Sequence, residues 1–105
     1  MSKLIEVTAG TFEAEVIHST VPVAVDFYGS TCGPCRIFKP ILESLAEAIG
    51  DKAKIVAVDV AENERLAIDH GIQAIPTILV FKDGHEVRRM VGLAELGELR
   101  VALGA

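Results

Sequence analysis

Residues 21–28, Val-Pro-Val-Ala-Val-Asp-Phe-Tyr, are nearly all apolar or β-branched and lack the polar alternation of a half-exposed strand. A strand of this kind has to be covered on both faces, so the chain needs a layer on each side of a sheet. Pro22 stands at its entry, where a missing N–H does least damage. After Gly29 comes Cys32-Gly33-Pro34-Cys35, and from Pro34 onward Ile37, Ile41, Leu42, Leu45, Ala48 and Ile49 recur at helical spacing until Gly50. Two cysteines therefore sit where a central strand turns into a long helix. Pro40, inside that helix, lacks the N–H that would reach the Arg36 carbonyl, which predicts a kink one turn after the cysteines.

Other segments complete the pattern. Residues 3–7 read as a short strand. Gly10 or Thr11 is placed to cap a helix with Glu13 and Glu15 in its first turn, where acidic groups suit the helix dipole, ending near His18 or Ser19. Residues 54–60 form a second buried strand, 63–69 a short helix stopped by Gly71, and 77–82 a third strong strand. Asp83-Gly84 is a two-residue hairpin signal that joins this strand antiparallel to residues 85–91. A helix over 95–103, weakened by Gly97, closes the chain. The order β-α-β-α-β-α-β-β-α predicts an α/β chain: parallel βαβ units and an edge hairpin in one mixed five-stranded sheet, with four helices covering both faces. At 105 residues there is room for one core, so residues 1–105 are expected to be a single domain.

Ten Lys and Arg against fifteen Asp and Glu give a formal charge of −5. That balance repels phosphate backbones and anionic headgroups, which argues against nucleic acid and membrane surfaces as partners. No apolar signal region precedes Glu6, and no apolar run approaches the roughly 20 residues of a membrane-spanning helix. The expectation is a soluble, cytoplasmic protein.

A thiolate at a helix start faces unpaired backbone N–H groups and the positive end of the helix dipole, both of which stabilise its charge. Cys32 has that position. Cys35, three residues later on the same side of the first turn, is close enough to bridge to it, and Pro34 preorganises the turn without losing a needed donor. Exchange chemistry follows: Cys32 attacks a partner disulfide, a mixed disulfide forms, and Cys35 attacks the Cys32 sulfur to release the reduced partner. A purely structural disulfide is a poor competitor, because so short a loop constrains the unfolded chain little and cytosolic thiols are normally reduced. A zinc site fares no better, since His18, His70 and His85 are dispersed without a second paired spacing. Two ordinary buried cysteines would not explain a position around Gly-Pro at a helix start. Asp26 interrupts the apolar strand, and an unpartnered buried carboxylate is expected to be protonated or raised in pKa.

With Val25-Asp26-Phe27, Cys32-Gly33-Pro34-Cys35, Pro40, Ile75-Pro76-Thr77, Lys82-Asp83-Gly84 and Val91-Gly92, the chain resembles the thioredoxin family over essentially its whole length. The resemblance implies a thioredoxin fold and protein disulfide reductase activity. It implies that Asp26 lies beneath the cysteines and accepts the proton of Cys35 as that thiol becomes a nucleophile. It implies a cis Ile75–Pro76 bond packed against the pair, with the Ile75 backbone pairing an extended client segment. Gly92 either makes the turn before the last helix or leaves room for the client chain. Gly33, Pro34, Ile75, Pro76 and Gly92 would then form a shallow apolar platform around Cys32 for docking proteins. Arg36 and Lys39 read as solvated.

No phosphate-binding glycine loop or flavin site is visible, so electrons are expected from a partner enzyme of the thioredoxin reductase type and pass to disulfide-containing client proteins. No bound cofactor or metal is implied beyond the redox-active Cys32–Cys35 disulfide. Three positions depart from the family pattern: Tyr28 and Thr31 stand where tryptophans are usual, and Ala57 where many relatives carry a lysine near the buried acid. Thr31 should leave Cys32 wetter and alter partner choice, and Ala57 removes one route for tuning Asp26. Two other readings remain: a binding subunit that kept the fold as a docking surface, and a dithiol donor dedicated to one enzyme.

Overall fold

The computed structural model describes residues 4–105. Its five strands are β1 (Ile5–Glu6), β2 (Val23–Tyr28), β3 (Lys54–Asp59), β4 (Thr77–Lys82) and β5 (His85–Val91). They form one mixed sheet in the order β1-β3-β2-β4-β5, with β3 parallel to both β1 and β2, and β4 antiparallel to β2 and β5. A π-helical turn (Glu13–Ile17) follows β1, and α1 (Gly33–Ile49), α2 (Glu64–Asp69) and α3 (Leu96–Leu103) complete the four helices. The thioredoxin-type α/β architecture expected from the sequence is the one observed.

β2 is central and buried from Val23 to Phe27. Its alternating side chains enter two separate cores, as the pleat dictates. Ala24 joins Phe38, Leu42 and Leu45 of α1 and Leu99 and Leu103 of α3 on one face. Val23, Val25 and Phe27 meet Phe12, Val16, Leu66 and Ala67 from the π-helical turn and α2 on the other.

Several boundaries move. The expected strand over 3–7 is two residues long, with Lys3 outside the described residues, although the Val7 N–H still donates to the Ala57 carbonyl at 2.8 Å. β2 begins at Val23, and Pro22 contributes only its carbonyl, which accepts from the Lys54 N–H at 2.9 Å. The largest correction concerns the first helix. Neither Gly10 nor Thr11 caps it, and it is a five-residue π-helical turn behind Phe12. Thr11 Oγ1 instead accepts from the Thr8 N–H at 3.0 Å, so the hydroxyl closes the preceding loop and leaves the helix end without a side-chain cap. Pro40 stands inside α1 without ending it. Gly97 falls in the first turn of α3, where its N–H donates to the capping Glu95 carboxylate at 2.7 Å, a place where glycine weakens a helix least.

Candidate active site

Cys32 is the N-cap of α1 in an extended backbone conformation, φ −84° and ψ 114°, with Pro34 in the first turn. The Cys35 N–H donates to Cys32 Sγ at 3.2 Å, so the sulfur takes the place of a capping oxygen on an otherwise orphaned donor. The two cysteines form a disulfide, their α-carbons 5.2 Å apart. They are not equivalent: Cys32 is half-buried, whereas Cys35 is 4% exposed and lies on the buried face of α1.

Asp26 is 2% exposed and its Oδ1 has no hydrogen-bond partner among the described residues. Burial, with a smaller contribution from the like charge of Glu6, pushes its pKa from 3.8 up to about 7. Ala57 pairs with Asp26 across the parallel ladder, so the position expected to bear on the buried acid does stand beside it. Its methyl group leaves space. A cavity of about 200 Å³ opens there, with Asp26, Ala57 and Cys35 on its inner side and Arg36 and Lys39 of α1 among its walls. Arg36 and Lys39, expected to be merely solvated, thus border the site, and Arg36 Nη2 donates to the Ser30 carbonyl in the loop before Cys32 at 3.2 Å.

The Ile75–Pro76 bond is cis. Pro76 is buried and Ile75 is 36% exposed, so Ile75 carries the outer surface of that pair. The Gly92 N–H donates to the Pro76 carbonyl at 2.8 Å, which ties the end of β5 to the segment entering β4. Gly92 has φ +85°, where a side chain is strained, and no atom lies within 4 Å of the place a β-carbon would take. Gly33 likewise has open space beside it. Gly29, which the sequence did not single out, joins the two halves of the site. A β-carbon there would lie 2.7 Å from Ile75 Cδ1 and 3.8 Å from Cys32 Cβ, so the side chains of Ile75 and Cys32 both lie beside this glycine. Thr31 is exposed, and Tyr28 reaches away to Glu6.

Among the described residues no group of His, Cys, Asp or Glu is arranged to hold a metal ion, and no helix is long and apolar enough to cross a membrane. A dithiol that closes across one helical turn, beside a buried acid and below an exposed apolar lip, defines a thiol–disulfide oxidoreductase. Comparison with known proteins agrees. The family model described as Thioredoxin matches residues 3–105. The chain is 44% identical over 92 residues to thioredoxin 1 of Synechococcus elongatus, covering 88% of this chain and 86% of that one. It is 37% identical over 93 residues to a thioredoxin of Rickettsia prowazekii, 89% of each chain, and 36% identical over 98 residues to one of Porphyra purpurea, 93% of this chain and 92% of that one. The chain belongs to the thioredoxin family and is a protein-disulfide oxidoreductase with a redox-active cysteine pair.

Proposed function

We propose that Cys32 is the attacking thiol and Cys35 the resolving thiol in the reduction of client disulfides. The observation that carries this reading is the unequal burial of the two sulfurs at the start of α1. Cys32 is reachable and sits at the positive end of the helix, where its thiolate is favoured. Cys35 is shielded from a client but three residues from Cys32, so it finds the mixed disulfide as an intramolecular reaction. Asp26 accepts the Cys35 proton through the cavity both residues line; its raised pKa makes it a base that operates near neutral pH.

Gly33, Pro34, Ile75, Pro76 and Gly92 form the client platform in this reading. The exposed Ile75 supports it, as does the open space beside Gly33 and Gly92, while Pro76 acts from beneath by presenting Ile75. Family membership implies a reductase and disulfide-bearing proteins as partners in general. We read the chain as one catalytic unit that draws electrons from such a reductase, holds no further cofactor, and works in the cytoplasm, where thiols are kept reduced.

The test uses a protein disulfide as substrate and dithiothreitol as electron source. Cys32→Ser is expected to abolish turnover. Cys35→Ser is expected to stop after one attack and accumulate a covalent complex with the client, visible on a non-reducing gel. Sustained turnover by Cys35→Ser would overturn the two-step exchange.

A further inference from the structure

Glu6, Ala57 and Asp26 occupy one row across the sheet: Glu6 pairs with Ala57 between β1 and β3, and Ala57 pairs with Asp26 between β3 and β2. Residues aligned in this way project to the same face, and two strand spacings separate the acids by about 10 Å at the backbone. Because the middle residue is alanine, the gap between them stays open, and Glu6 and Asp26 both line the cavity that reaches Cys35. Tyr28, two residues along β2 from Asp26 and on the same face, donates its hydroxyl to the Glu6 carboxylate, 2.9 Å from each oxygen. An exposed glutamate is thereby held in one place. Burial and this hydrogen bond push the Tyr28 phenol upward from its ordinary pKa, so it remains a donor.

We propose that Glu6, fixed by Tyr28 at the mouth of this cavity, is a positioning residue of the redox site: its standing negative charge governs how readily Asp26 gives up its proton and becomes available as a base. The inference rests on Asp26 being the acceptor of the Cys35 proton. In that step the Cys35 S–H proton passes to the Asp26 carboxylate, and the Cys35 sulfur bonds to Cys32. The bond between Cys32 and the client breaks, the client sulfur leaves with the electron pair and takes a proton from solvent, and Asp26 later returns its proton to water in the cavity.

Glu6 from β1, Tyr28 from its own strand, and Cys35, Arg36 and Lys39 from α1 share the cavity with Asp26, while the neighbouring strands offer Ala57 and Ile78 at its register positions. Burial is the larger cause of the upward shift at Asp26 and Glu6 the second. A lysine at position 57 would act in the opposite sense, so this chain keeps Asp26 protonated to a higher pH than a basic neighbour would.

The experiment follows release of client from the Cys32 mixed disulfide in a single turnover across pH, for the native chain, Glu6→Gln, Tyr28→Phe, Asp26→Asn and the Glu6→Gln/Asp26→Asn pair. Removing a like charge makes Asp26 ionise at lower pH, so Glu6→Gln should move the limb of the profile down by roughly half a unit. Release is then about threefold faster near pH 6 and nearly unchanged above pH 8. Tyr28→Phe should shift the limb the same way by less. In the Asp26→Asn background Glu6→Gln should change nothing. If Asp26→Asn abolishes the limb but Glu6→Gln leaves it in place, the role of Glu6 is refuted and that of Asp26 stands. A limb that persists in Asp26→Asn overturns both. A Glu6→Gln shift of equal size in the Asp26→Asn background shows that the charge acts elsewhere and also overturns the proposal.

Discussion

With the proton-accepting role proposed for it, Asp26 links stability to chemistry in a single side chain. An acid with a folded-state pKa of about 7 and an ordinary value of 3.8 keeps a proton in the folded chain that the unfolded chain has released. Stability therefore falls as pH rises through that window and stays lower above it. At 1.36 kcal/mol per unit the window amounts to about 4 kcal/mol, an upper bound on what the carboxylate withholds from the fold at alkaline pH. Asp26→Asn cannot ionise, so its oxidised form is expected to match the native protein in urea unfolding near pH 3.5 and to exceed it by up to about 4 kcal/mol at pH 8. A difference that stays constant with pH would mean that the stability cost comes from shape rather than charge. The burial was legible in the sequence because an aspartate in an apolar run has no other place to go. The hydrogen-bonded glutamate at its side was not, since Glu6 and Asp26 meet only through strand register.

At the scale of elements, legibility followed how locally each one is determined. β4 and β5 fall where the sequence puts them, at both ends, because Asp83 and Gly84 take positive φ values of 52° and 80° and close the hairpin on the Lys82–His85 pair, beyond which the ladder shifts register between Val80 and Phe81. The extent of α1 was readable from its apolar spacing, but its buried face was only partly so: Ile37, Ile41 and Ala48 are exposed, and Phe38 is buried with Leu42, Leu45 and Ile49. The turn after β1 was not, because side chains of its own loop compete for the backbone. Strand order, and with it the meeting of the site's parts beside Gly29, depends on tertiary pairing that no local pattern states.

One such long-range device is Arg89 of β5. Its Nη2 donates to the His70 carbonyl at 2.7 Å and its Nη1 to the Gly71 carbonyl at 3.2 Å, while Glu86 holds the same guanidinium. The clamp anchors the end of α2 and the start of the segment that leads to Ile75 and Pro76. Replacing Arg89 by alanine should therefore loosen this segment and leave the cores intact. Hydrogen exchange at the Gly71 and Ile72 amides is expected to quicken about fivefold, equivalent to roughly 1 kcal/mol, with amides of β2 and β3 unaffected. Uniform acceleration across the sheet would instead mark Arg89 as a contributor to global stability.

Over the whole molecule, electrostatics and contact chemistry act at different ranges. A formal charge of −5 is felt by an approaching protein at a distance, whereas the client platform proposed above carries the apolar Ile75 at 36% exposure, and Val91 at 65% and Leu93 at 58% flank its Gly92 in the chain. Steering by net charge changes encounter rates, while apolar contact and the sulfur chemistry decide what happens after encounter. Two disulfide peptides of equal length, one basic and one acidic, separate these contributions. At low ionic strength the basic peptide should be reduced with the larger second-order rate constant, and added salt should slow it and accelerate the acidic one. The two should converge near 1 M salt, where the screening length is about 3 Å. Parallel salt dependence for both peptides would mean that net charge does not select clients, leaving the choice to Thr31 and the Ile75 lip immediately around Cys32.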